Sequence, residues 1–500
     1  MAKIKRVLVL GGGSAGWIAA LTLAKKVPGV KVRVVRSPDI GVIGVGEGTT
    51  AAFPRHFFKY LGISGRDFYK QVQPTWKLGV RFLWGERDEF FYGFGNEYER
   101  PVDGLQRMPG FYFDDDSQWL GAHSALMSKG KVFPQKQGGT PDMTTSHAFH
   151  IENEKLVDFL ENAAREAGVE VTDGKVTQVI TGPVYLAGRE AKGVHSLILE
   201  SGETLSADLF IDASGFRSEL LSGALELPRV DYGKSLFCDR AVIGGWSRED
   251  EPIPAYTTAE TMDSGWAWQI EHRHWINRGY VFSSNFASDD EAEAEFRGKN
   301  PKLGDTRLVK FLSYRTDRMW AGNVVGIGNA SGFVEPLEAT ALQVICVQSS
   351  TLADCLSDSL LEPTPSLIDH YNQYNIRQWD DVRDFLAVHY RFNTRCDSPF
   401  WQACRADVDL GGAEEIVQTY RENGPSVLLA GMVFHPSNSF GYEGYLSMLV
   451  GQKVPHEKPY APSDADKQAW LNRYRQLEQM ADGAMDSHQA FAFFEKVGWL

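Results

Sequence analysis

A chain of 500 residues, 43% hydrophobic and 23% charged, is neither disordered nor fibrous and is long enough to bury a large core. Its 65 acidic residues outnumber the 51 basic ones for a net charge of −14, which excludes the overall basic footprint that nucleic acid or an anionic membrane surface requires. No apolar run approaches the ~18 residues of a membrane span. The apolar stretch near the N-terminus stops at Gly11, too short for a secretory leader, and five cysteines without metal-type spacing point to reduced thiols in a cytoplasm and to no metal centre.

Residues 6–10 form a short β-branched run that suits a buried parallel strand. Gly11-Gly12-Gly13-Ser14-Ala15-Gly16 follows, then an Ala- and Leu-rich helix over 17–26 and a second strand over 32–35. This is a βαβ unit with its Gly-rich turn where a dinucleotide site needs it. Gly11 serves the tight turn, Gly13 lets the backbone approach a pyrophosphate, and Gly16 lets helix and strand pack closely. The helix N-terminus offers free N–H groups to the phosphates. The acid expected at the end of the second strand is replaced by Arg36, which favours a 2′-phosphate and keeps an NADP-type cofactor open.

Residues 40–50 make a second Gly-rich loop. Residues 85–150 are polar, aromatic and irregular, with Phe111-Tyr112-Phe113 and Asp114-Asp115-Asp116, and read as an inserted lid or substrate region. Helical periodicity returns over 151–168. Residues 194–200 and 204–211 read as a hairpin around Ser201-Gly202, ending in Asp212-Ala213-Ser214-Gly215. After a mixed section to about residue 320, residues 324–327 form another buried strand that enters Gly328-Asn329-Ala330-Ser331-Gly332. Helices are expected over 340–360, 367–392 and 464–480. The three Gly-containing turns are spread across more than 300 residues, so one interwoven body is expected rather than separate beads.

The turn at 11–16, the segment 208–215 and the segment 324–330 together resemble the FAD-dependent monooxygenase class of flavoproteins. Four further segments resemble a narrower group, the flavin-dependent halogenases of the tryptophan halogenase family. They are Gly11 to Trp17, Gly44-Val45-Gly46-Glu47-Gly48-Thr49, Gly265-Trp266-Ala267-Trp268-Gln269-Ile270, and Gly332-Phe333-Val334-Glu335-Pro336-Leu337-Glu338-Ala339-Thr340. The implied fold is α/β. It has a Rossmann-like FAD-binding domain of the monooxygenase type, interwoven with a substrate region and a mainly helical C-terminal part. Residues 1–84 and 151–345 carry the discontinuous FAD-binding and mixed-sheet regions, 85–150 the substrate or lid insertion, and 346–500 the helical substrate side.

The resemblance also assigns residues. FAD falls to Gly11, Gly13, Ser14, Ala15, Gly16, Ser37, Glu47, Gly48, Val176, Asp212, Asn329 and Leu342. Lys77 and Glu338 inherit the catalytic roles, Thr340 and Ala341 the halide site, and Trp266 and Trp268 the crowding that keeps organic substrate off the flavin. The implied activity uses reduced FAD, O2 and a halide ion to make hypohalous acid, which Lys77 holds or carries as a haloamine to the arene. Ala341 stands where relatives have Gly, which points to bromide over chloride. The segment Phe91-Tyr92-Gly93-Phe94-Gly95 lacks a His found in tryptophan-specific relatives, and 440–445 lacks an adjacent Tyr pair. An indole or another electron-rich arene is therefore favoured over free tryptophan. No second Gly-rich motif serves NAD(P)H, so FADH2 is expected from a separate flavin reductase, and a homodimer stays open. The alternative is an FAD-dependent aromatic hydroxylase or an NAD(P)H-using flavoprotein reductase.

Overall fold

Val7, Leu8, Val9 and Leu10 are all buried, which requires a strand covered on both faces. In the computed structural model, which describes residues 3–38, 41, 46–95, 102–105, 121–143, 146–426, 432–435, 438–458 and 460–500, they lie at the centre of a six-stranded sheet. Strand Arg6–Leu10 pairs in parallel with Lys31–Arg36 on one side and Leu209–Asp212 on the other. Leu209–Asp212 pairs in parallel with Val324–Gly326, and Lys31–Arg36 with Glu170–Asp173. The antiparallel strand Trp320–Ala321 closes one edge. Four segments far apart in sequence thus end side by side. Their carboxyl ends carry Gly11, Ser37, Ala213 and Ile327, the place where open parallel sheets bind ligands.

Helix Ser14–Lys26 is buried continuously from Gly16 to Leu23. It is apolar on all sides because the sheet and the helices Asn153–Glu166 and Ala341–Asp358 surround it.

A second sheet of seven strands occupies what reads in sequence as a mixed section. Its order is Arg307–Lys310, Arg240–Ser247, Trp275–Phe282, Gly265–Glu271, Tyr256–Met262, Gly79–Leu83 and Phe90–Gly93. Residues 85–150 are therefore only partly an insertion: Phe90–Gly93 belongs to this sheet, and Ala148–Ile151 to a third sheet. Phe111 to Asp116 lie outside the described residues, as do Gly44 and Val45 of the second Gly-rich loop.

The hairpin expected around Ser201-Gly202 forms, but its second arm is Thr204–Leu205 rather than residues 204–211. The long hairpin is Val176–Leu186 with Arg189–Leu199, and only Thr204–Leu205 pairs back onto it. Residues 209–212 leave for the parallel sheet because Asp208 anchors them there: its Oδ2 accepts hydrogen bonds of 2.9 Å from the Lys5 and Arg6 backbone N–H groups. Beyond residue 340 the described chain is helical, in Ala341–Asp358, Pro365–Arg391, Pro399–Asp407, Ala413–Asn423, Gly441–Gly451, Asp464–Asp482 and Ser487–Lys496. Among the described residues no helix is long and apolar enough to cross a membrane.

Candidate active site

The first turn has the shape its sequence implies. Gly11 has φ +129°, and a Cβ there would lie 2.2 Å from the Ala213 carbonyl oxygen. A Cβ on Gly16 would lie 1.9 Å from the Gly11 carbonyl oxygen, whereas one on Gly13 would meet nothing within 4 Å. Gly13 caps helix Ser14–Lys26 with no side chain bonded to its free N–H groups and no acid in the first turn. That is an open, electropositive cradle. A Cβ on Gly328 would touch the Ala15 Cβ at 3.1 Å, so the first and third Gly-containing turns meet.

Ser37 stands where the second strand ends, and its Oγ is buried with no partner among the described residues. An orphaned hydroxyl there fits a ribose. Val176 packs on the same cluster as Val35. Leu342 is buried in the first turn of helix Ala341–Asp358, and the Asn329 carbonyl accepts from the Tyr314 hydroxyl at 2.9 Å. Ser14 and Asp212 are engaged within the chain: the Ser14 hydroxyl donates to Asn153 at 2.8 Å, and Asp212 accepts from Ser214 and from the Leu220 and Leu221 N–H groups at 2.8 and 2.9 Å. Asp212 thus shapes the turn after its strand. The residues present fit FAD.

Arg36 does not supply a free cation for a 2′-phosphate. Its guanidinium is paired with Glu161 and, at 2.8 Å, with Asp173. The sequence observation that favoured an NADP-type site is thereby accounted for as packing between strand Lys31–Arg36 and its neighbours.

Lys77 lies on a three-stranded antiparallel sheet of Glu47–Gly48, Ala148–Ile151 and Thr75–Lys77. This small sheet joins the second Gly-rich loop to Lys77 through one intervening strand. Side chains alternate along a strand, so Trp76 points away from Lys77. Trp76 is buried among Phe133, Phe491 and Phe494 at 4.6–5.4 Å, and its indole N–H donates to the Tyr69 hydroxyl at 2.8 Å. That anchor fixes the opposite face, where Lys77 is wholly buried and its Nζ has no hydrogen-bond partner among the described residues.

The surroundings of the amine are specific. Nζ lies 5.2 Å from the centroid of the Phe94 ring. A Cβ on Gly48 would come within 3.3 Å of Nζ and 3.2 Å of the Ala339 Cβ, so the loop, the lysine and the segment bearing Glu338 converge on one point. Burial pulls the ammonium down to about 8, against a smaller upward pull from Glu338. Burial also pushes Glu47 up to about 7. His150, two strand positions from Ala148, the strand partner of Lys77, is held well below the ordinary imidazole range by burial and by repulsion from Lys77. Its Nε2 bonds to the Thr257 hydroxyl at 2.8 Å.

Glu338 is buried on a turn whose next residue, Ala339, takes φ +55°, an unusual conformation for a residue with a Cβ. Thr340 then caps helix Ala341–Asp358, with no side-chain cap and no acid in the first turn, so its N–H groups remain available to an anion. Trp266 and Trp268 are both buried on strand Gly265–Glu271, with ring centroids 6.0 Å apart. The Trp266 indole donates at 2.9 Å to Glu335, which also accepts from Tyr390 at 2.6 Å and is pushed up by burial to about 7. The tryptophan pair is thus tied to the segment that ends in Glu338.

An aromatic wall extends from this point. Phe94 lies 6.3 Å from Tyr92, Tyr92 lies 6.0 Å from Phe385, and Phe385 stacks on Phe440 at 3.9 Å. Sequence reasoning marked Lys77, Glu338 and the tryptophans. It missed Glu335, His150, Thr257 and His389, whose partners lie on other segments.

Substituting Gly48 by Ala places a methyl against the Lys77 amine without straining the backbone. Turnover is expected to fall by about 10²-fold from this displacement, with a melting temperature near that of the parent. A Gly48→Ala enzyme turning over at the parental rate would mean that reaction does not occur at this amine.

The parallel sheet with its Gly-rich turn defines a dinucleotide-binding fold, and a buried lysine and a buried glutamate, Lys77 and Glu338, lie on other segments of it. The family model described as tryptophan halogenase matches residues 6–466. Tryptophan 6-halogenase ThaL of Streptomyces albogriseolus is 33% identical over 457 residues, covering 85% of this chain and 83% of its own. Tryptophan 7-halogenase KtzQ of Kutzneria sp. (strain 744) is 34% identical over 452 residues, covering 85% and 83%. Among solved structures, MibH, a lanthipeptide tryptophan 5-halogenase, superposes with a TM-score of 0.88 at 34% identity, over 100% of this chain and 96% of its own. The chain belongs to the tryptophan halogenase family of flavin-dependent enzymes.

Proposed function

We propose that this protein halogenates an electron-rich arene of the indole type, using a halide, O2 and reduced FAD delivered by a separate flavin reductase. The observation that carries the reading is the Lys77 amine, wholly buried, unpaired among the described residues and adjacent to Gly48 and Ala339. Bound at the Gly-rich turns, reduced FAD with O2 supplies the oxidising power that turns halide into hypohalous acid. The chain's own residues do the rest. The N–H groups at Thr340 and Ala341 hold the halide. Trp266 and Trp268 exclude the arene from the flavin side.

At about 8, the Lys77 ammonium is in its free amine form in roughly one molecule in ten at neutral pH. The amine attacks the halogen of HOX, the O–X bond breaks, and water leaves as the N–X bond forms. The arene then takes the halogen as the N–X bond breaks and nitrogen keeps the electron pair; the ring carbon's proton passes to Glu338, and one proton passes on to the Lys77 nitrogen, which returns to the neutral amine. The aromatic wall of Phe94, Tyr92, Phe385 and Phe440 orients the ring.

The test is incubation with FAD, a flavin reductase, NADH and bromide against a panel of indoles and phenols, read by mass. A product one bromine heavier that requires bromide is expected, and oxygenated or unchanged substrate alone would reject the reading. With chloride and bromide in competition, brominated product is expected in excess, because the Ala341 methyl at the helix N-terminus favours the larger, more polarisable and more easily oxidised ion. Equal or greater chlorination would remove that part.

A further inference from the structure

His389 lies on helix Pro365–Arg391, beside Glu338. Its Nδ1 is 2.8 Å from the Phe385 carbonyl oxygen, and its Nε2 is 2.7 Å from Glu338 Oε1. A carbonyl oxygen only accepts, so Nδ1 carries a hydrogen. A neutral ring would then present a bare lone pair at Nε2, facing an oxygen that also only accepts when ionised. The contact closes only if one proton lies in it. The two side chains are 0% and 1% exposed, so bulk water does not supply it. Phe385 and Phe82 hold the imidazole at 4.8 and 5.4 Å, and Trp84 at 6.5 Å, which leaves the ring little freedom to turn away.

The charged groups on the surrounding elements are Lys77, which acts on Glu338 from strand Thr75–Lys77, and Glu335, whose Oε2 is bonded to Trp266 and Tyr390. Arg81 on strand Gly79–Leu83 is paired with Glu89 at 2.6 Å, and Glu443 lies on helix Gly441–Gly451, which packs against the helix of His389. On helix Pro365–Arg391 itself Asp384 is paired with Arg383. The Lys77 ammonium and the Phe385 carbonyl both favour placing the shared proton on the ring, as an imidazolium against a carboxylate.

We propose that His389 is a positioning residue that stays protonated beside Glu338, so that the pair enters the reaction neutral overall and with the carboxylate free to take the arene's proton. The inference rests on the halogenase reading above. When the ring carbon loses its hydrogen, the C–H electron pair restores aromaticity and the proton goes to the Glu338 carboxylate. Nothing is oxidised or reduced in that step, and the pair finishes with two protons. The imidazolium also cancels the Glu338 charge as felt by Lys77, which keeps the amine in reach of its neutral form.

The experiment compares wild type with His389→Gln, whose amide can donate to Glu338 but cannot share a proton. Flavin binding and halide-dependent release of hypohalous acid to an added scavenger are expected at wild-type levels. Arene halogenation is expected to fall at least about tenfold. The acidic limb of its pH–rate profile is expected to move up by about one pH unit or more, because the buried carboxylate has lost its counter-charge. In ¹³C-lysine NMR, with the signal assigned by its loss in Lys77→Met, the Lys77 titration is expected to move up as well. Unmoved limbs and an unmoved Lys77 titration would overturn the proposal.

A measurement that uses no variant at His389 covers a failure to fold. In ¹⁵N-histidine NMR the wild-type His389 ring is expected to be protonated at both nitrogens at neutral pH, and in Glu338→Gln at Nδ1 alone. A neutral ring in the wild type would overturn the proposal. These NMR outcomes do not depend on halogenated product, whose absence from the wild type would instead reject the underlying reading.

Discussion

Lys77→Met is expected to abolish halogenation and to make the protein more stable. The Lys77 ammonium is wholly buried without a hydrogen-bond partner among the described residues, and burial lowers it from an ordinary 10.5 to about 8. The unfolded chain therefore binds a proton more tightly than the folded one. Below pH 8 both states are charged and the folded state bears the full penalty, about 3 kcal/mol. Between pH 8 and 10.5 the folded state releases its proton while the unfolded state keeps it, so this contribution to stability rises with pH across that window. Met fills nearly the same volume without charge and removes both the penalty and its pH dependence. Turnover should fall by about 10²- to 10⁴-fold, the range lost with a group that acts on the reacting atoms. Lys77→Arg separates charge from reactivity: a guanidinium stays charged, so it should be inactive and less stable than the parent. Thermal unfolding at pH 7 and pH 9.5, with product measured by mass, checks both halves. An active Lys77→Met enzyme, or one melting well below the parent, contradicts the role given to this amine.

The parallel sheet is legible because its strands are covered on both faces. Residues 7–10 and 324–325 are buried without alternation, and an unbroken apolar run between Gly-rich turns has few other readings. The seven-stranded sheet is not, because its decisive pairing joins Gly79–Leu83 to Tyr256–Met262, and neither segment encodes the other. The hairpin Val176–Leu186 with Arg189–Leu199 escapes for a local reason: Gly182-Pro183 interrupts its first strand. Lys77 by residue type is a surface residue, and only the motifs around it single it out. Its burial comes from Phe94, Gly48 and Ala339 converging from three segments. His389 carries no sequence signal at all. With Phe385 one turn before it on an apolar helix face, it reads as packing, and the carboxylate it meets is 51 residues away.

Gly13→Ala and Gly16→Ala are expected to fail in opposite ways, although the two glycines are three residues apart in one motif. A methyl on Gly16 would sit 1.9 Å from the Gly11 carbonyl oxygen and 3.4 Å from Val9. Backbone must move to admit it, prising helix Ser14–Lys26 off the central strand. The cost is expected to be about 3 kcal/mol or more, the upper end of what overpacking a tight interior costs, with flavin binding lost as a consequence. A methyl on Gly13 meets nothing within 4 Å, and the backbone there, at φ −87° and ψ −176°, is one that Ala adopts freely. Its structural cost is limited to a weaker helix cap, about 1 kcal/mol. Yet the space that methyl enters is the space through which the backbone N–H groups must approach a pyrophosphate. Gly13→Ala should therefore melt within a few degrees of the parent and bind FAD about 10²-fold more weakly, since one methyl holds the phosphates away from several charge-assisted hydrogen bonds at once. Flavin fluorescence titration alongside thermal unfolding separates the two cases. Parental FAD affinity in Gly13→Ala would mean that the phosphates do not rest on this helix end, and a parental melting temperature in Gly16→Ala would mean that the helix and strand do not meet as closely as the fold requires.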